Sequence, residues 1–411
     1  MTAAGPAVLL VADDLSGAAD SAAALADREH TAVALHAGAE WPQASVVAVD
    51  TDSRYLPGPQ AADRVAAVVR RSGPHTLVYK KIDSTLRGNI GPETAACLAA
   101  LRERAAPGEP RPLAVVAPAF PATGRTVVDG QVLLHGRPLT DAHPSRIPLT
   151  RQLRAAGLEV AHLPADGADR GLAPLIGQAD AVIVDSVTDE DLAATVRACR
   201  ALPVLLVGSG GLAHHLTGFP PGRGDAAARA LPRPALVCVG SRSDVARAQC
   251  AALLEATEAL PVSVPVPVPV SVTDTAARDA AAHRVADALH AGRDVVVRPD
   301  PAEPVDPARA ADMAAALAGV ARAGLGAAGT LVAAGGETAR AVLGAAGVPH
   351  LRVVGEREPG VVEMRTGDGL RVVTKAGSFG DEKVLTRLLP GAAGHPPAAA
   401  APAGHAGTGA P

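Results

Sequence analysis

A short polar segment, KKIDSTLRG at residues 80–88, follows an apolar run and combines two lysines, an aspartate, a serine, a threonine and an arginine. The chain has only four lysines, and two of them, Lys80 and Lys81, stand side by side here. Arginine supplies nearly all the other positive charges, so a solvated charged face would more often carry arginine at these positions. Because lysine offers a compact, flexible ammonium group, the pair indicates a binding site for a small anionic substrate.

Two further segments place polar side chains where an apolar run ends. In VADDLSGAAD, Asp13 and Asp14 precede a predicted helix, and they either cap that helix or orient a substrate hydroxyl and accept its proton. In DTDSRYLP, the fork of Arg54 matches a carboxylate in two hydrogen bonds, the alternative being an arginine in a solvated loop. Together the three segments favour one site that offers cations and carboxylates to a small substrate at the ends of neighbouring strands.

Three glycine-containing turns follow apolar runs in the second half of the chain, VGSRSD, AAGGET and TKAGSFG. Backbone amides at such a turn, with a helix start behind them, can bind an anion, although each turn alone is equally typical of an ordinary helix cap. Three of them in one region indicate a nucleotide phosphate site.

Two common phosphate-binding motifs do not account for these turns. No Gly-Lys dipeptide occurs, so the chain lacks the P-loop of NTPases. GSGGLA at residues 208–213 fits a dinucleotide-binding pattern, but no acidic residue ends a second strand about 20 positions later. The sequence therefore argues against a dehydrogenase.

Strand-length apolar runs alternate with helical patterns, which predicts an α/β protein with a doubly wound, mostly parallel sheet in its N-terminal part. In such sheets the loops at the carboxyl ends of the strands form the functional edge. Residues 217–234, rich in Pro, Gly and Arg, predict a linker between a substrate-binding domain, 1–216, and a nucleotide-binding α/β domain, 235–390. The tail, 391–411, is expected to be disordered.

Composition narrows the class of function. With a formal net charge of -4 and 1% aromatic residues, the chain offers neither a basic field nor stacking side chains for nucleic acid. Its four widely spaced cysteines indicate reduced core thiols. No export signal or membrane span is recognisable, so a cytoplasmic protein without a membrane partner is expected. The oligomeric state stays open, with a homodimer as one option.

Taken together, VADDLSGAAD, DTDSRYL, YKKIDSTLRGNIGPE, APAFPATGRTVVDGQVLLHGRPL, GGET, EPG and TKAGSFG resemble the four-carbon acid sugar kinase family over about residues 8–388. The resemblance implies an N-terminal substrate domain and a C-terminal ATP-binding domain. It implies ATP-dependent phosphorylation of a four-carbon sugar acid in catabolism. Since phosphoryl transfer requires neutralisation of phosphate charge, Mg²⁺ is the expected cofactor. DTDSR and KKIDSTLRG are more similar to the D-threonate or D-erythronate branch than to 3-oxo-tetronate kinases, which remain an alternative.

The resemblance also assigns site residues. Those expected to bind the sugar acid are Asp14, Arg54, Lys81, Ile82, Asp83 and Ser84, and Arg87 of the same polar segment is a further candidate. Those expected to bind ATP are Ser241, Ser243, Gly335, Gly336, Glu337, Thr338 and Gly377. Asp14 or Asp83 is expected to accept the proton of the attacking hydroxyl, and no residue is assigned to the metal. The alternative from another class is a sensor that binds a sugar acid without turning it over.

Overall fold

The computed structural model describes residues 5–26, 31–106, 108–216, 230–241, 243–265, 272–301, 309–377 and 379–390. Most of the predicted linker, 217–229, and the tail predicted to be disordered, 391–411, lie outside these residues. Residues 5–216 are called the N-terminal half below, and residues 230–390 the C-terminal half.

Strands and helices alternate along both halves. The strands are β1 (Val8–Ala12), β2 (Thr31–Ala34), β3 (Val46–Asp50), β4 (Leu77–Lys81), β5 (Leu113–Ala117), β6 (Arg125–Val128), β7 (Gln131–Leu134), β8 (Arg137–Pro138), β9 (Val160–Leu163), β10 (Ala181–Val184), β11 (Val204–Gly208), β12 (Ala235–Val239), β13 (Leu260–Val264), β14 (Val295–Pro299), β15 (Thr330–Ala334), β16 (His350–Glu358), β17 (Val361–Arg365) and β18 (Arg371–Lys375).

The helices are α1 (Leu15–Ala24), α2 (Gly58–Arg70), α3 (Ile90–Arg104), α4 (Leu139–Ala142), α5 (Leu149–Ala155), α6 (Ala168–Leu175), α7 (Asp189–Cys199), α8 (Gly210–Ala213), α9 (Asp244–Ala256), α10 (Val272–His290), α11 (Ala310–Arg322), α12 (Gly336–Ala345) and α13 (Val384–Leu388). Helix α8, which follows the GSGG segment, has only four residues.

The N-terminal half contains eight parallel strands in the order β2-β3-β1-β4-β11-β5-β10-β9. Strands β1, β3 and β5 are buried along their whole length and consist almost entirely of Val, Leu and Ala. Such continuous apolar runs are typical of parallel strands covered on both faces. The chain moves to opposite sides of β1 when it forms β3 and β4, so a crevice is expected at the carboxyl end of β1.

The C-terminal half has a similar arrangement, with five parallel strands in the order β13-β14-β12-β15-β18. Here the order reverses between β12 and β15, which are hydrogen-bonded neighbours. The carboxyl ends of β12 and β15 therefore form the second expected binding crevice.

Two antiparallel strands join the halves. Strand β17 pairs with β18, and β16 pairs with β17 and with β2, so one sheet of 15 strands runs through the described residues. A small antiparallel sheet of β6, β7 and β8 is separate, and an isolated bridge between Val127 and Ser186 connects it to the chain just after β10. The predicted fold class, α/β with a mostly parallel sheet, is confirmed. No helix within the described ranges is long and apolar enough to cross a membrane.

Candidate active site

Arg54 is the centre of a buried cluster at the carboxyl ends of β1 and β4. Its Nε and Nη2 each lie 2.8 Å from an oxygen of Asp13, and its Nη1 lies 2.6 Å from Asp14 Oδ2. Asp83 Oδ1 is 3.8 Å from Arg54 Nη2. Burial opposes the charged form of Asp13, but the charge and hydrogen bonds of Arg54 hold the pKa of this carboxyl below its usual value. Arg54 therefore orders three aspartates.

Asp14 is the most accessible of these aspartates. Its side chain is 24% exposed, against 4% for Asp13 and 9% for Asp83. It is also the N-cap of α1, where its Oδ1 accepts a hydrogen bond from Gly17 N at 2.8 Å. Capping and a place in the site thus coincide in one residue, and Asp14 is the carboxylate of the cluster that a ligand can reach most easily.

Asp83 instead organises its own loop. Its oxygens accept hydrogen bonds from the side chain and amide of Thr85 and from the amide and guanidinium of Arg87. Burial opposes ionisation, but these hydrogen bonds and the charges of Arg87 and Arg54 hold the pKa of Asp83 well below its usual range. A carboxylate held in this way is a weak proton acceptor.

The adjacent lysines of KKIDSTLRG point to different surroundings. Lys80 is completely buried, and its Nζ lies 2.7 Å from Glu93 Oε2 on α3. Lys81 is 6% exposed and donates to Ile82 O at 2.9 Å. A Cβ placed on Gly17 would lie 3.1 Å from Lys81 Nζ, so this ammonium group lies against the start of α1. Of the two, Lys81 is the one beside Asp14.

The remaining residues expected to bind the sugar acid occupy the same loop. Ile82 is buried, and its amide donates to Gly208 O at 2.8 Å, which extends the pairing of β4 with β11. Ser84 is half-buried, and the side chain of Arg87 is 41% exposed. Leu86 adopts a φ of 57°, an uncommon conformation for a leucine and one that is often found at functional sites.

Gly88 and Asn89 hold this loop against the DTDSR loop. Gly88 has a φ of 85°, and a Cβ there would lie 2.9 Å from Asp13 Oδ2. Asn89 Nδ2 donates to Ser53 O at 2.9 Å and to Leu56 O at 2.8 Å. These contacts explain the Gly-Asn pair at residues 88 and 89.

The three glycine turns of the C-terminal half converge. A Cβ on Gly377 would lie 2.5 Å from Ser241 Oγ, and one on Gly240 would collide with Thr338 Oγ1. Gly335, with a φ of 113°, turns the chain from β15 into α12. The turns after β12, β15 and β18 therefore share one surface whose backbone amides lie close together, which suits a polyphosphate.

The other residues expected to bind ATP lie at the edges of this surface. Ser243 is the N-cap of α9, where its Oγ accepts from Ala246 N at 3.2 Å and lies 3.2 Å from Ser241 Oγ. Glu337 is exposed in the first turn of α12, whereas Thr338 is 4% exposed.

The two crevices meet at the start of α12. A Cβ on Gly336 would lie 2.8 Å from Ser16 Oγ and 3.5 Å from Asp14 Oδ2. One turn later, Arg340 Nη1 lies 2.5 Å from Asp52 Oδ2, and its Nε lies 3.1 Å from Asp50 Oδ2 without hydrogen-bond geometry. Neither Arg340 nor Asp50 was predicted from the sequence as a site residue. Spacing could have indicated Arg340, which follows Gly336 by one helical turn, and Asp50 is the acidic residue that ends the apolar run VVAVD.

Asp50 is a buried carboxyl whose surroundings shift its pKa. Burial raises its pKa to about 7, an effect that the charges of Asp14 and Asp52 support and that Arg340 opposes. The folded chain therefore keeps this proton in a range where the unfolded chain, with an ordinary value of 3.8, has lost it.

We expect a matching pH dependence of stability. The contribution of Asp50 to the free energy of unfolding is fully present below about pH 4. It is lost as the pH rises through about 7, at up to about 1.4 kcal/mol per pH unit. Urea unfolding of the wild type and Asp50→Asn between pH 4 and 8 measures the difference in unfolding free energy. A difference that stays constant across this range would contradict the assignment.

Comparisons with known proteins identify the family of each half of the chain. A family model described as a sugar-binding N-terminal domain matches residues 8–216, and one described as a nucleotide-binding C-terminal domain matches residues 236–385. A solved structure of a Haemophilus influenzae protein aligns with a TM-score of 0.69 at 20% identity, covering 92% of this chain and 98% of that one, which supports the fold.

Two curated relatives cover nearly the full length. D-threonate kinase of Cupriavidus necator is 41% identical over 92% of this chain and 96% of its own. 3-oxo-tetronate kinase of the same organism is 31% identical over 95% of this chain and 98% of its own. The family predicted from the motifs is confirmed: the chain belongs to the four-carbon acid sugar kinase family and is an ATP-using, nucleotide-binding transferase.

Proposed function

We propose that the chain transfers the γ-phosphoryl group of ATP to a hydroxyl of D-threonate or a closely similar four-carbon sugar acid. The observation that carries the proposal is the approach of Gly336, in the turn expected to bind ATP, to Ser16 and Asp14 at the substrate crevice. Phosphoryl transfer depends mainly on holding the donor and acceptor in line and neutralising charge, so the two sites must be adjacent.

On the substrate side, the ammonium group of Lys81 attracts the carboxylate of the acid. Arg54 directs its donors to Asp13 and Asp14, so its main contribution is to fix the position of Asp14. Direct binding of the substrate carboxylate by Arg54 stays a prediction from the sequence.

Asp14 is the proposed base for the attacking hydroxyl. Its exposure and its place beside Gly336 support this role, whereas the five hydrogen bonds that Asp83 accepts oppose one for Asp83. Asp83 would instead keep the loop that carries Lys81 in its binding conformation.

Mg²⁺ fits the nucleotide side of the site. No group of three or more His, Cys, Asp or Glu within the described part of the chain could hold a metal ion alone. In phosphoryl transfer sites, however, Mg²⁺ is usually bound by one or two carboxylates together with phosphate oxygens. Glu337, exposed at the start of α12, is a carboxylate suited to this role. The ion would supply neutralisation of phosphate charge.

The substrate assignment rests on relatives. The D-threonate kinase of Cupriavidus necator is more similar to this chain than the 3-oxo-tetronate kinase of that organism. The domain bounds 1–216 and 235–390 are likewise proposed, with support from the ranges of the two family models. A cytoplasmic location and a homodimer stay predictions.

A coupled assay of ADP release tests the proposal. The substrates are D-threonate, L-threonate, D-erythronate, L-erythronate and a 3-oxo-tetronate, each at several concentrations with ATP and Mg²⁺. We expect the highest kcat/KM with D-threonate. A preference for 3-oxo-tetronate would transfer the assignment to that branch, and tight binding of an acid without any ADP release would support the sensor instead.

A further inference from the structure

Lys375 occupies a central position among the glycine turns. It is the last residue of β18 and pairs with Ala334 of β15. Its carbonyl oxygen accepts a hydrogen bond from the amide of Gly335 at 2.9 Å. The residue is 1% exposed. Its side chain therefore starts between two of the three turns that are expected to bind the nucleotide.

The ammonium group of Lys375 lacks a negative partner. Its Nζ donates to Ala376 O at 3.0 Å and to Gly377 O at 3.3 Å. No ion pair joins it to a carboxylate of the described residues, and burial lowers its pKa to about 8.

The contrast with Lys80 is informative. Both lysines are almost completely buried, but Lys80 has Glu93 Oε2 at 2.7 Å whereas Lys375 has only carbonyl oxygens. A buried ammonium group is costly unless an anion compensates for its lost hydration. A fold that buries the Lys375 ammonium group without a carboxylate partner is therefore suited to binding an anionic ligand beside it.

A polyphosphate would supply that anion. Gly377, whose carbonyl contacts Lys375 Nζ, lies against Ser241, and Gly335 begins the turn into α12. A phosphate chain bound on these turns would lie beside the ammonium group, and lysine binds phosphate well as a compact point charge.

We propose that the Lys375 ammonium group binds the polyphosphate of ATP and neutralises charge on it during transfer to the sugar acid. The inference rests on the proposed function, because it assigns a partner to a charge in the proposed nucleotide site. Lys375 is then the cation of the nucleotide side, and Lys81 is the cation of the substrate side.

The test uses two variants and a matched control. Lys375→Met removes the charge and the donors, and Lys375→Gln removes the charge but keeps an amide donor for the carbonyl oxygens. Lys383→Met removes the other lysine of the C-terminal half, which is exposed. Isothermal titration calorimetry with ATP and Mg²⁺, calorimetry with D-threonate, and thermal unfolding without ligand are measured for each.

We expect both Lys375 variants to bind ATP about 10- to 100-fold more weakly, as the loss of a charge-assisted contact predicts. Binding of D-threonate should be unchanged, the unfolding midpoint without ligand should be unchanged or higher, and Lys383→Met should resemble the wild type. A merely structural lysine would instead lower the midpoint and leave the affinity for ATP in place.

Several outcomes overturn the inference. ATP affinities within twofold of an active wild type would refute the role of Lys375 and leave the proposed function standing. Failure of both variants to fold without nucleotide would also refute it, since the ammonium group would then stabilise the chain without phosphate. A wild type that neither binds ATP nor releases ADP with any acid would refute the proposed function itself.

Discussion

Asp14→Asn should lower kcat with the sugar acid by about 10²- to 10⁴-fold, the usual contribution of a general base. Asparagine caps helices about as well as aspartate, so the bond from Gly17 N to the side-chain oxygen at this position can remain. The amide cannot accept the proton of the attacking hydroxyl. We therefore expect a large loss of turnover in a chain that still folds and still binds ATP.

Steady-state kinetics with D-threonate, ATP binding by calorimetry and urea unfolding together check this prediction. Asp83→Asn is the informative companion, because it alters the competing carboxylate. Its main expected effect is a higher KM for the acid, through the loop held by Arg87 and Thr85. Undiminished turnover in Asp14→Asn combined with a collapse of turnover in Asp83→Asn would reverse the assignment of the base.

The sequence was more informative about which segments meet at the candidate site than about the partner of each side chain there. Apolar runs ending in Asp13, Lys81 and Gly335 predicted strand ends, and strand ends of a parallel sheet must lie at a common edge. For that reason the fold class and the two crevices were predictable. Motif resemblance then distinguished the substrate crevice from the nucleotide crevice.

Pairing across long sequence distances could not be predicted in the same way. Binding of a substrate carboxylate by Arg54 stays a prediction, and the sequence did not indicate that its fork pairs with Asp13, 41 positions away. Glu93 lies in a helix whose sequence, IGPETAAC, gives no sign that a buried lysine faces it. The choice of partner for each buried charge depends on how the folded chain packs, and the hydrophobic periodicity of the sequence does not predict that choice.

The strand pairing that joins the two halves could not be predicted from the sequence either. The apolar run LRVV at residues 351–354 is strand-like in sequence, but its pairing with β2 of the other half could not be predicted. Antiparallel edge pairing is set by which edges remain free once each parallel sheet has formed. The approach of Gly336 to Asp14, on which the proposed function depends, is likewise a contact between the halves.

The second large expected effect is on stability, and it concerns the buried ion pair of Lys80 and Glu93. We expect Lys80→Met to lower the unfolding free energy by about 3–5 kcal/mol, because it leaves the carboxylate of Glu93 buried without its partner. Urea unfolding measures this loss, and Lys383→Met, at an exposed lysine, should change stability by less than about 0.5 kcal/mol.

A double variant separates the charge pair from simple packing. In Lys80→Met/Glu93→Leu both charges are replaced by apolar groups of similar size, so much of the lost stability should return. Loss of the lysine stem alone would instead give a cost that the second change does not repair. Because Lys80 Nζ also donates to Lys81 O at 2.8 Å, the single variant should loosen the strand end that presents Lys81. The double variant should therefore recover stability more fully than affinity for the sugar acid.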